Sequence, residues 1–153
     1  MVNDIVTKDV IGELPLSGNW RYRPYQVSTF TLAPGESRLL VDLRKHGWAL
    51  SAAAIHNNPN LSCKLELETG TETYVETFTA NDLLALGFVQ PAPTSWWVSV
   101  YNTILNAYVV AFTPATWWPF YRRLKIAVEN TTSTPITISK FYALCIEFVE
   151  ETK

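Results

Sequence analysis

The chain has 153 residues, 48 % of them hydrophobic, which is enough for one packed core and too apolar for a largely disordered polymer. Its net charge of −2, from 12 basic and 14 acidic side chains, carries no electrostatic footprint for nucleic acid and no polybasic membrane anchor. Charged residues make up only 17 %, against a globular norm of about 25 %, so part of the surface is not built to meet bulk water.

At the N-terminus, Asp4, Lys8, Asp9 and Glu13 fall where a signal peptide needs an unbroken apolar stretch. Nor does any run approach the roughly 18 apolar residues of a membrane span. The expectation is a soluble chain made in the cytoplasm without a secretory signal. Residues 1–24 show little periodicity but hold Trp20 and Tyr22. They read either as an arm that docks on a neighbouring subunit or as a terminal segment lying across its own domain, with residues 25–153 as the folded domain.

From Tyr25 onward strand signals dominate. Tyr25 to Ala33 alternates, Pro34-Gly35 supplies a type II turn, and Glu36 to Arg44 follows with Leu39, Val41 and Leu43 on one face. Trp48 to His56 is apolar at nearly every position, as in a strand covered on both faces. After the turn Asn57 to Asn60, Leu61, Cys63, Leu65 and Leu67 alternate with Ser62, Lys64, Glu66 and Glu68. Thr69-Gly70 then leads into a hairpin partner, Thr71 to Phe78.

One short helix over residues 80–86 is expected, capped by Thr79, with Asp82 in its first turn and Gly87 as its stop. Gln90 to Pro93 cannot be regular structure. Trp96 to Tyr101, Tyr108 to Thr113, the stretch around Leu124, Ile126 and Val128, and Ile136 to Val149 are the remaining strands. In the last, Ile136, Ile138, Tyr142, Leu144, Ile146 and Phe148 are assigned to the inner face. The sum is an all-β, eight- to nine-stranded antiparallel β-sandwich, jelly-roll-like, with an immunoglobulin-like sandwich as the second choice.

Signatures of catalysis are missing. There is no GxSxG elbow, HExxH, P-loop or dinucleotide glycine pattern, and no cofactor is expected. His46 reads as a solvated loop residue and His56 as a hydrogen-bonded structural histidine. Asp42 is too isolated in type to complete a triad. Glu66, Glu68, Glu72 and Glu76 match no calcium-loop spacing, and Cys63 and Cys145 lack histidine partners for zinc, so no metal is expected. The thiols read as buried and reduced.

The anomaly is aromatic. Residues 88–97 and 112–121 hold Trp96-Trp97 and Trp117-Trp118-Pro119-Phe120-Tyr121, stiffened by prolines. Adjacent tryptophans on extended chain project to opposite faces, so one of each pair needs a partner outside the core. Three readings stand: loops that complete the core, a subunit interface, or a platform that stacks sugars.

The segments FTLAPGESRLLVDL, WALSAAAIHNNPN, LELETGTETYVETFTANDLLALG and LKIAVENTTSTPITISKFYALCIEF together resemble β-sandwich virion proteins of bacterial and archaeal viruses. The resemblance spans about residues 25–149 and carries no diagnostic motif. It implies a structural, multi-copy, non-enzymatic role as a capsid, decoration or tail component, located in the virion. The expectation is a symmetric oligomer, a trimer being one form, that contacts copies of itself and a major capsid or other virion protein. Trp20, Tyr22, Trp97, Trp117, Trp118, Phe120 and Tyr121 are the expected contact residues. The rival is a carbohydrate- or receptor-binding module that uses the same tryptophans.

Overall fold

The computed structural model describes residues 19–89, 97–114 and 116–149. The expected arm over residues 1–18, the Pro91–Pro93 loop with Trp96, and residues 150–153 lie outside the described residues. Within the described set the chain forms β1 (Trp20–Leu32), β2 (Ser37–Leu43), β3 (Gly47–His56), β4 (Leu61–Glu68), β5 (Thr73–Phe78), α1 (Ala80–Leu86), β6 (Trp97–Asn102), β7 (Ala107–Phe112), β8 (Trp118–Phe120), β9 (Arg123–Asn130) and β10 (Ile136–Phe148).

Two antiparallel sheets result. The large sheet runs β1-β10-β3-β7-β6, with β8 also paired to β3, and the small sheet runs β2-β9-β4-β5. First pairs with last (β1 with β10), then β2 with β9, β3 with β7 and β4 with β5. This nesting is that of one long hairpin rolled over on itself, the jelly-roll solution of two Greek keys. The core lies between the sheets and includes Leu32, Leu65, Phe112, Phe120, Leu124 and Ile138.

Local chemistry explains the turns. Glu36 N–H donates to Ala33 O at 3.0 Å across Pro34-Gly35, and Gly35 takes φ +81°, the third position of a type II turn. Asn130 is fully buried; its amide donates to Leu32 O at 3.1 Å and Thr134 O at 2.8 Å, which pins the β9–β10 turn to the end of β1. Helix α1 closes its N-terminus with a capping box: Thr79 Oγ1 accepts from Asp82 N, and the Asp82 carboxylate accepts from Thr79 N, each at 3.0 Å. Gly87 ends it at φ +82°.

Four expectations need correction. Strand β1 starts at Trp20, not Tyr25, so Trp20 to Pro24 belong to the domain and pair with Leu144 to Phe148. Pro24 is tolerated because β1 is an edge strand that can spare a donor. Leu39 is exposed, because a register shift between Leu39 and Val41 turns Leu40 and Val41 inward instead. A tenth strand, β8, forms despite Pro119, as a three-residue continuation of the β7 edge along β3.

The fourth correction matters most. Between Ile138 and Lys140 the register of β10 against β3 shifts by one residue and exchanges the faces of β10 beyond it, while a second shift, between Leu144 and Cys145, is taken up by Leu50 on β3. Phe141, Ala143 and Cys145 therefore enter the core. Tyr142, Leu144, Ile146 and Phe148, expected inside, lie on the outer side of the large sheet.

Candidate interaction surface

The two outer faces differ in chemistry. On the small sheet, β4 and β9 present Lys64, Glu66, Arg123 and Lys125 outward, and these are paired. Arg123 Nε lies 2.7 Å from Asp42 Oδ1, and Lys125 Nζ lies 3.3 Å from Glu66 Oε1. The Arg123 guanidinium holds the Asp42 carboxyl below the usual carboxylate range. This is a solvated face.

The outer face of the large sheet is apolar and aromatic. Cross-strand registers define rows that run across it: Tyr22–Ile146–Trp48–Pro119 over four strands, Gln26–Tyr142–Ala53–Ala111–Val98 over five, and Ser28–Lys140–Ile55–Val109–Val100 over five at the far end. Among the described residues of these rows Lys140 is the only charge. Ile146 is 0 % exposed and Val98 5 %, yet neither belongs to the core between the sheets. Both are buried on the outside, Ile146 between its cross-strand neighbours Tyr22 and Trp48.

One end of this face carries most of the expected contact residues. Trp20 stacks on His46 with ring centroids 5.5 Å apart and meets Phe148 edge-on at 5.3 Å. Tyr121, 59 % exposed, approaches His46 at 6.4 Å, and Trp117 packs edge-on against Trp48 at 6.4 Å. Trp20, Tyr22, Trp117 and Tyr121 are thus brought together. His46, expected in a solvated loop, sits half-buried among these rings.

Two expected contact residues go elsewhere. Trp97 is 6 % exposed and Phe120 1 %. Both start or end strands on the inward parity: Trp97 pairs with Phe112, and Phe120 pairs with Gly47. Trp97 packs on Phe112 at 5.4 Å and on Phe78 at 5.6 Å, while its Nε1–H donates to Glu76 Oε1 at 2.6 Å. Neither side chain has surface left for a partner. Trp118 is intermediate, packed against Phe112 at 5.1 Å and against Tyr74 at 5.3 Å at the mouth of the sandwich.

Sequence reasoning missed the β6–β7 tip, where Ile104 is 92 % exposed and Leu105 56 %. Asn102 Oδ1 accepts from Ile104 N at 3.0 Å and Leu105 N at 2.9 Å, so an Asx turn holds both apolar side chains outward. Two leucine-sized side chains between asparagines were the available signal.

The remaining candidates for chemistry, one histidine and two cysteines, are buried. His56 is buried, its Nδ1 2.8 Å from Asn58 O, and burial pushes its pKa down to about 4. Cys63 and Cys145 are free, and burial pushes both thiols up to about 12. Among the described residues no three His, Cys, Asp or Glu side chains converge as a metal site, and no helix is long and apolar enough to cross a membrane. No family model and no curated protein matches the chain.

Proposed function

We propose that the protein is a structural component of a virion, a small capsid or decoration subunit that acts by being covered. The observation that carries this reading is the outer face of the large sheet: rows of mainly aromatic and aliphatic side chains in which Lys140 is the one charge, opposite a face of paired charges. Charge depletion with Trp and Tyr enrichment marks interface centres, and Tyr22 and Val100 on this face are exposed. The jelly roll is a fold that viral capsid domains share with lectins and cupins, and it supports the reading by analogy alone.

In this account copies of the chain pack through the large-sheet face into a symmetric oligomer, with Trp20, Tyr22, Trp48, Trp117 and Tyr121 at one end of the contact. The β6–β7 tip extends the contact at the other end. The mechanism is mechanical. Each apolar Å² removed from water contributes roughly 25 cal/mol, repeated at every copy of a shell.

The test is mass in solution by light scattering, for the wild type and for a Tyr22→Lys/Val100→Lys variant. Both positions are more than 40 % exposed, so charging them leaves the subunit fold intact. The wild type is expected to be oligomeric and the variant monomeric, folded and cooperative in melting. A monomeric wild type, or a folded variant that keeps the mass of the wild-type oligomer, refutes the proposal.

A further inference from the structure

Where the sandwich opens between β8 and the β4–β5 hairpin there is a cleft of about 500 Å³, lined by Leu67, Thr69, Glu72, Tyr74, Trp118 and Pro119, with Thr73 at its edge. That volume is within the range of small-molecule sites, about 300–1,000 Å³. The geometry points to a binding site for a neutral pyranoside, a sugar with an apolar C–H face and a hydroxyl-bearing rim.

Its aromatic part is fixed before any ligand arrives. Strand pairing of Trp118 with Ala49 sets the indole, which also packs on Phe112. Tyr74 stands at 77° to Trp118 with centroids 5.3 Å apart, so the two rings form a corner. The Tyr74 hydroxyl donates to Glu76 Oε2 at 2.8 Å, and the other oxygen of that carboxylate accepts the Trp97 indole N–H at 2.6 Å. A buried tryptophan thereby holds a surface tyrosine in place through one glutamate. Rings locked in this way lose little entropy when a sugar stacks on them.

The polar part lies on the rim. Glu72 O accepts from Thr69 N at 2.9 Å and from Thr69 Oγ1 at 3.2 Å, which closes the β4–β5 turn and places Glu72 and Thr73 beside the aromatic corner. Unlike Glu66 and Glu76, the Glu72 carboxylate has no ion pair or hydrogen bond among the described residues, so it can accept from sugar hydroxyls. A charge-assisted O–H···O⁻ bond of this kind is among the stronger hydrogen bonds.

Charge selects within the class. Glu72 carries the one charge among the described residues that line the cleft. Its carboxylate disfavours sialylated, sulfated or phosphorylated sugars and leaves neutral hexosides. The cleft shares only Pro119 with the large-sheet rows, so sugar binding and oligomerisation stand or fall separately.

The experiment is an NMR titration of the full chain with the methyl glycosides of glucose, galactose, mannose and N-acetylglucosamine, following the Trp118 indole N–H and the backbone amides of Glu72 to Tyr74. Tetramethylammonium serves as a cation probe. At least one glycoside is expected to give saturable shifts confined to this cleft, with the dissociation constant raised about tenfold in Glu72→Gln and in Tyr74→Ala. Both substitutions are on exposed side chains, and an unchanged spectrum elsewhere verifies the fold. The proposal is overturned if no glycoside shifts these signals, if the shifts survive both substitutions, or if tetramethylammonium binds there while the glycosides do not.

Discussion

Acid should weaken this sandwich at His56. The imidazole is buried on the inner face of β3, stacked on Tyr108 at 6.3 Å, with Nδ1 2.8 Å from Asn58 O. A carbonyl accepts only from N–H, so Nδ1 carries the proton and Nε2, which has no hydrogen-bond partner among the described residues, is left bare in the interior. Burial lowers the pKa from 6.5 to about 4, opposed in part by the Asn58 hydrogen bond.

Between those two values the unfolded chain binds the proton and the folded one does not, so stability falls as pH drops through the window and is fully retained above it. Taking the protein from pH 7 to pH 5 should remove about 2 kcal/mol through this one group. Urea unfolding followed by tryptophan fluorescence at both pH values measures the loss. In His56→Gln, which keeps an N–H for Asn58 O, the loss between pH 7 and 5 should shrink by about that amount. Carboxylates contribute equally to both proteins and cancel. Equal pH dependence in the two proteins, or an imidazole titrating near 6.5 by NMR in the folded state, refutes the reasoning.

Phe120→Ala should cost about 3–5 kcal/mol in chemical denaturation, while Tyr121→Ala, one residue on and exposed, should stay within about 0.5 kcal/mol and alter only assembly. Gly47→Ala should destabilise by about 3 kcal/mol, because a Cβ there would lie 2.0 Å from the Ile146 carbonyl oxygen of the neighbouring strand, a backbone atom that would have to shift. Cys63 and Cys145 should resist a thiol reagent in the native protein and both react in denaturant, since only a thiolate attacks and burial keeps both protonated.

How much of this was legible in the sequence depends on the strand. In β4 and β9 the alternation of apolar with charged residues matches burial position by position, because one face meets a core and the other meets water. The caps of α1 were readable from Thr79, Asp82 and Gly87 because each supplies a backbone group with a partner or a left-handed turn. In β10 the pattern failed. When both faces of a strand are apolar, period two carries no sign, and nothing in Ile138-Ser139-Lys140 announces the slip that turns Leu144 and Ile146 outward.

The tryptophan pairs show the same limit. That one member of a pair enters the core follows from strand geometry, and Trp97 does so. Which member, and whether Trp118 lies inside or at the mouth, depends on pairing with Phe112 and Ala49, which only the sheet order sets. The low charge fraction has a counterpart on the outer face of the large sheet, where Lys140 is the one charge among the described residues of the three rows.

That face can be tested directly by hydroxyl-radical footprinting of the protein above and below its assembly concentration. The account predicts that labelling of Tyr22, Trp48 and Val100 falls on assembly while Leu39 and Val75, on the small sheet, stay as reactive as before. Equal labelling of both faces at every concentration, or protection of Leu39 and Val75 instead, would contradict it.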